Sequence, residues 1–174
     1  MVDKKKILIV EGNTREENSE FTNVGINTHT ESLIESINFY KKKLDIDIAN
    51  PSSDKNLDSS IENLEKYDGL IWGGSSLNIY NDTEEIRRQI EFMRVCQSKI
   101  KKILAICWGL QVAVTVAGGD VKKSPKGAHR GIAHDIKINK EGIKHKIYRN
   151  KKIKFNSPAF NFDEVVKVPT DAIL

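Results

Sequence analysis

Short apolar runs alternate with amphipathic stretches through the first two thirds of this 174-residue chain, and that alternation leaves few folds open. The runs Lys6 to Val10, Ile46 to Ala49, Gly69 to Trp72 and Ile103 to Ile106 have strand length, and helices are expected between them at about Glu31 to Lys43, Leu57 to Lys66, Glu84 to Lys99 and Leu110 to Ala117. Repeated strand–helix units wind into a mostly parallel sheet with helices on both faces. The expected architecture is therefore α/β, a three-layer flavodoxin-like sandwich with its ligand site at the C-terminal tips of the strands. Thr28 three residues before Glu31, and Asp82 three before Glu85, have the spacing that satisfies orphan amides at a helix start.

Two stretches depart from the alternation. Glu11 to Asn27 is a long polar connection where a strand-to-helix loop usually has two to six residues; it reads either as a loop covering a site or as a mobile insertion. After Gly118-Gly119, isoleucines at 132, 136, 138, 143, 147 and 153 sit in short segments broken by Lys, Asn and Gly, which suggests an antiparallel excursion added to the main sheet.

Length and composition, with 39% hydrophobic and 30% charged residues, fit a single globular domain over 1–174. No run approaches the roughly 20 apolar residues of a membrane span, and the start of the chain leads straight into a strand, not a signal peptide. The net charge of +4 is spread over scattered lysine pairs and triplets, Lys41 to Lys43 among them, and not concentrated in a basic stripe, which argues against nucleic acid as a partner. Cys96 and Cys107 make neither a disulfide framework nor a metal-ligand spacing. A reducing cytoplasm and no metal or cofactor are expected.

The chemistry concentrates around Cys107. An apolar strand, Ile103 to Ile106, turns through small residues into an apolar helix, with Ala105 and Gly109 on either side of the cysteine. Such a turn holds a nucleophile above the sheet edge and at the positive end of the next helix, where thiolate is favoured. Local chemistry alone leaves a buried structural cysteine as an equal alternative. A second segment, Asp68-Gly69-Leu70-Ile71-Trp72-Gly73-Gly74-Ser75-Ser76, ends the neighbouring strand in paired glycines. A backbone amide there can face an oxyanion formed as a thiolate attacks a carbonyl; the competing reading is a tight turn and nothing more.

Together these segments resemble the class I (triad-type) glutamine amidotransferases, among them the amidotransferase domain of GMP synthase. That family's elbow reads Gly-x-Cys-x-Gly-x-Gln, followed by a small-residue helix ending in Gly-Gly; this chain has Ala105-Ile106-Cys107-Trp108-Gly109-Leu110-Gln111 and then Ala117-Gly118-Gly119. The resemblance runs from the first strand to Asp163-Glu164-Val165. It implies that Cys107 attacks the side-chain amide of glutamine, that the amides of Gly74 and Trp108 form the oxyanion hole, and that Gly73 and Gln111 hold the substrate. It also implies a thioester intermediate and ammonia passed to an acceptor by a separate synthase subunit or domain. Homodimer formation is equally compatible with the residues, which carry no interface pattern. Departures occur at Ala105 in place of glycine, and at Gly127-Ala128-His129-Arg130-Gly131 and Asn161-Phe162-Asp163-Glu164-Val165, where the family has Gly-x-Glu-x-Gly and His-x-Asp-x-Val looks. His129 and Asn161 thus suggest a specificity different from that of the main family.

The family's His-Pro-Glu-like motif is not found among His29, His129, His134 and His145, so the catalytic His and Glu are missing from this sequence. Two explanations are open. The chain is truncated at its C-terminus, or one of the four histidines substitutes, with His129 or His134 the better placed for reaching the crevice. The leading function is accordingly a glutaminase domain, weakly active or inactive in this chain. The alternatives are a non-catalytic binding or regulatory domain of the same fold and another cysteine-dependent amide hydrolase.

Overall fold

The computed structural model describes residues 4–40, 44–54 and 63–173. It divides into two compact units, residues 1–118 and 119–174.

In the first unit, β1 (Lys6–Val10), β2 (Asp45–Ala49), β3 (Gly69–Trp72) and β4 (Ile103–Ala105) form one sheet in the order β2-β1-β3-β4. All three pairings are parallel, with Ile9 opposite both Ile48 and Ile71, and Trp72 opposite Ala105. Leu8, Ile9 and Val10 are successive and all buried, so both faces of β1 are covered, as a central parallel strand requires. The start of β1 is clamped to β3 by Asp68, whose carboxylate accepts the Lys6 amide at 2.9 Å and the Lys5 ammonium at 2.6 Å. Those two bonds, the lysine first, hold the Asp68 carboxyl below its usual range. The clamp is therefore intact above the ordinary aspartate pKa and is lost as the pH falls through the lowered one.

The polar connection after β1 is not a loop throughout: Arg15–Asn23 is a helix, α1. Its start is a capping box in which Thr14 Oγ1 accepts the Glu17 amide and the Glu17 carboxylate accepts the Thr14 amide. The same device begins α2 (His29–Tyr40), with Thr28 and Glu31 as the pair. Helix α3 spans Glu84–Lys99 as expected, but the Asp82–Glu85 cap does not form as read. Thr83 takes the N-cap position, while Asp82 sits in the left-handed region at φ 50° and pairs with the Arg87 guanidinium at 2.7 Å. Helix α4 runs Trp108–Val116, two residues earlier than the expected start at Leu110. Of the helix expected at Leu57 to Lys66, Leu64–Lys66 forms a single 3-10 turn and residues 57–62 lie outside the described residues, as does the Lys41 to Lys43 triplet.

The second unit is antiparallel, and its strands make their own ladders instead of extending the parallel sheet. β5 (Asp120–Lys123) pairs with β8 (Asp163–Lys167), and β6 (His129–Lys137) pairs with β7 (Lys154–Asn161), with a short helix α5 (Lys140–Lys144) between β6 and β7. Among the described residues no helix is long and apolar enough to cross a membrane.

Helix α3 buries Ile86, Gln89, Phe92, Met93 and Cys96 along one face, the spacing of an amphipathic helix. Phe92 is 1% exposed, and its ring centroid lies 5.9 Å from that of Trp72 on β3. Truncating such a residue costs about 3–5 kcal/mol. Urea unfolding of Phe92→Ala should show a loss of that size, with an unchanged m-value.

Candidate active site

The turn from β4 into α4 is built by hydrogen bonds to the end of β3. The Ile106 amide donates to the Trp72 carbonyl at 2.9 Å, and the Gly109 amide donates to the Gly73 carbonyl at 3.0 Å. Between them Cys107 is forced to φ 53°, ψ −106°, a conformation that side-chain-bearing residues rarely adopt. This is the strained strand-to-helix geometry of a nucleophile elbow. Cys107 is the N-cap of α4, its carbonyl accepts the Gln111 amide at 3.1 Å, and the residue is exposed. The helix dipole at that end favours thiolate over thiol.

Gly109 is what lets α4 come so close. A Cβ at this position would lie 2.5 Å from the Trp72 carbonyl oxygen and 2.8 Å from Trp72 Cβ. Gly73 and Gly74 are different. Neither has a positive φ, and a Cβ would meet only Leu33 at 3.9 Å or the His29 ring at 3.7 Å, ordinary contacts. The chain does not need glycine there for a left-handed turn or for packing within the described residues, which weakens the tight-turn reading and leaves open access to the backbone amides as the remaining reason.

The tips of β1, β3 and β4 are bound by a buried polar network. Trp108, itself buried, donates from Nε1 to Gln89 Oε1 at 2.7 Å, and Gln89 Nε2 donates to the Gly12 carbonyl at 3.0 Å. That same carbonyl accepts the Ser75 hydroxyl at 3.1 Å, and Asn13 Oδ1 accepts the Ser76 amide at 2.8 Å. A Cβ on Gly12 would sit 2.7 Å from Trp108 Cδ1 and 3.0 Å from the Gly74 carbonyl oxygen. Cys107, Trp108, Gly73 and Gly74 are therefore gathered at one end of the sheet. Gln111 follows one turn into α4, and its Oε1 is buried without a hydrogen-bond partner.

Sequence reasoning missed Gly12, Asn13 and Gln89. Gln89 was legible: it takes a position in the apolar stripe of α3, between Ile86 and Phe92, and a buried amide there must find partners.

Of the four histidines, His29 shares the first unit with Cys107. His129 and His134 are exposed on β6 in the second unit, and His145 Nδ1 accepts the Ile147 amide at 3.3 Å. Within that unit, the two segments that depart from the amidotransferase pattern meet, because His129 pairs with Asn161 across β6 and β7. Between them is a cavity of about 360 Å³, lined by Ser124, Lys126, His129, Asn161 and Glu164 among others. Asn161 Nδ2 donates to the Asp163 carbonyl at 3.1 Å, and Asp163 Oδ1 is buried without a partner. Among the described residues no group of three His, Cys, Asp or Glu side chains is placed to hold a metal ion.

Residues 26–170 match the family model of glutamine amidotransferase class-I. The chain belongs to this family. Among its relatives, the γ-glutamyl-L-1-hydroxyisopropylamide hydrolase of a Pseudomonas species is 29% identical over 179 residues, covering 99% of this chain and 59% of that protein. The γ-glutamyl peptidase 4 of Arabidopsis thaliana is 30% identical over 115 residues, covering 65% of this chain and 45% of the peptidase. The chain thus spans between about two fifths and three fifths of the length of these two relatives. In fold it is similar to a glutamine amidotransferase from Thermotoga maritima, with a TM-score of 0.68 at 17% identity over 98% of this chain and 65% of that one. A putative GMP synthase glutaminase-type subunit from Thermoplasma acidophilum gives the same TM-score and identity, over 98% of this chain and 71% of that one. These likenesses bear out the amidotransferase resemblance and the parallel sheet with flanking helices.

The two cysteines of this amidotransferase-family chain should separate by reactivity. Burial pushes the Cys96 thiol up to about 12, so it stays protonated and enclosed at pH 8. Iodoacetamide at pH 8 should add one carbamidomethyl group, at Cys107 by peptide mass, with Cys96 modified only after unfolding. Gly109→Ala should lower stability by about 1–3 kcal/mol or more through overpacking against Trp72, read as a fall in Tm.

Proposed function

We propose that the chain carries the nucleophile half of a cysteine-dependent hydrolase of γ-glutamyl amides. The observation that carries this reading is the strained backbone of Cys107 at the N-terminus of α4, beside the Gly73–Gly74 strand end. Cys107 Sγ attacks the γ-carbonyl carbon, and the negative charge that develops on the carbonyl oxygen is met by the amides of Gly74 and Trp108. Trp108 is the first residue of its helix, so its amide is one of those with no intrahelical acceptor. The carbon–nitrogen bond then breaks, the amine leaves with a proton, and a γ-glutamyl thioester remains on Cys107. Water cleaves the thioester to glutamate and restores the thiol. The unpartnered Gln111 Oε1 supplies an acceptor for the substrate's α-ammonium group.

The names of the relatives support a substituted γ-glutamyl amide as substrate, since both describe hydrolysis of a γ-glutamyl bond. A second reading keeps glutamine as the substrate and passes the ammonia to a synthase partner. It is supported by the fold likeness to the glutaminase domain of Trypanosoma brucei CTP synthase, at a TM-score of 0.64, and to the putative GMP synthase protein of Thermoplasma acidophilum.

A diazo-ketone analogue of glutamine should alkylate Cys107 and protect it from iodoacetamide, and Cys107→Ala should take up no label. Labelling no faster than that of a simple chloroketone lacking the glutamyl group would refute recognition of a γ-glutamyl amide.

A further inference from the structure

The Gly73–Gly74 strand end is held from two sides. On one, the Gly73 carbonyl accepts the Gly109 amide of α4 at 3.0 Å. On the other lies the first turn and a half of α2. His29 and Leu33 are four residues apart and so share one helix face. The side-chain direction of Gly73 meets Leu33 Cδ2 at 3.9 Å, and that of Gly74 meets Nδ1, Cε1 and Cγ of His29 at 3.7–3.8 Å. Three ring atoms at nearly one distance set the Nδ1 side of the imidazole against Gly74.

That ring is held in place yet reachable. The Thr28–Glu31 capping box fixes the helix start, and the flanking Thr28 and Thr30 are buried. Phe21 of α1 packs edge-on against the imidazole, with centroids 5.3 Å apart and planes 60° from parallel. His29 itself remains exposed. Helix α1, which supplies Phe21, is the segment that follows β1 in place of a short loop. An anchored, solvent-accessible group that can donate or accept a hydrogen bond therefore stands beside the amide assigned to the oxyanion.

We infer that His29 is a substrate-contacting residue that recognises the amine portion of the γ-glutamyl amide, an inference that rests on the function proposed above. The division follows from the two sides of the strand end. The acyl half stays bonded to Cys107 on α4, where Gln111 Oε1 awaits a donor. The amine half, which must depart to solvent, faces α2. An imidazole there selects amines bearing an oxygen two or three bonds from the nitrogen, either the hydroxyl of an amino alcohol or the carboxylate of an amino acid.

The test is protection of Cys107 from iodoacetamide by γ-glutamylalanine, by a γ-glutamyl amino alcohol and by γ-glutamylisopropylamide, which lacks the oxygen. Losing one hydrogen bond of about 1–2 kcal/mol corresponds to roughly 5–30-fold in half-protecting concentration. His29→Ala should raise that concentration by this factor for the oxygen-bearing amides and change it less than about twofold for the isopropylamide. His29→Gln should restore most of the loss. The alanyl and amino-alcohol arms tell which oxygen is read, by which of them shifts more. Equal shifts for all three amides, or no shift for any, would overturn the contact while leaving the γ-glutamyl reading standing. Failure of every γ-glutamyl amide to protect the unaltered protein would overturn that reading, and this inference with it. The iodoacetamide rate without added amide should match between variant and parent; a changed rate would mean that His29 shapes the elbow and does not read the amine.

Discussion

Helix α4 lies against the end of β3 at a distance that no side chain at position 109 would permit, and the arrangement of the site follows from that approach. With the Gly109 amide on the Gly73 carbonyl and the Ile106 amide on the Trp72 carbonyl, the intervening residues have one way to turn. Cys107 is thereby pushed into a rare backbone region, Trp108 is buried, and the first free amides of the helix face the same edge as Gly74. A helix standing even a methyl group further out would lose the two hydrogen bonds and relax the turn.

The polar network beneath the elbow has the complementary role. Gln89, Asn13 and the Trp108 indole are enclosed, and each has a partner that is also enclosed or on backbone. Apolar packing alone would tolerate small slips between the tips of β1 and β3. Hydrogen bonds of fixed length and direction tolerate them poorly, because a displaced partner leaves a buried group unsatisfied. The network therefore sets the register of the loops on which a reacting group would depend, and it ties that register to α3, a helix that carries none of the proposed chemistry.

Much of this was legible in the residues. The four parallel strands and α3 follow from apolar runs and an amphipathic stripe, and three of those elements match to the residue: β1, β3 and α3. The elbow was legible because its glycine spacing has a steric cause. What escaped was of two kinds. Helix α1 was hidden by polarity: it buries no residue, so no apolar periodicity marked it, and only the Thr14–Glu17 capping pair betrayed it. The position of His29 was hidden by distance along the chain, since nothing local to Thr28-His29-Thr30 says that the helix start will land on the end of a strand more than forty residues later. The antiparallel second unit was read in kind but not in connection, because alternating isoleucines specify strands without naming which neighbour they pair with.

The backbone at 107 has a further consequence, for how such a chain changes over generations. At φ 53° a cysteine is among the worse choices for stability, and glycine would adopt the same angles at less cost. Mutation alone would therefore drift this position away from sulfur, and toward glycine in particular. A lineage that retained the fold but had abandoned thiol chemistry would have nothing to oppose that drift. The residue found at this one position across distant descendants is accordingly a record of whether the reaction is still being used, independent of any assay on a single member.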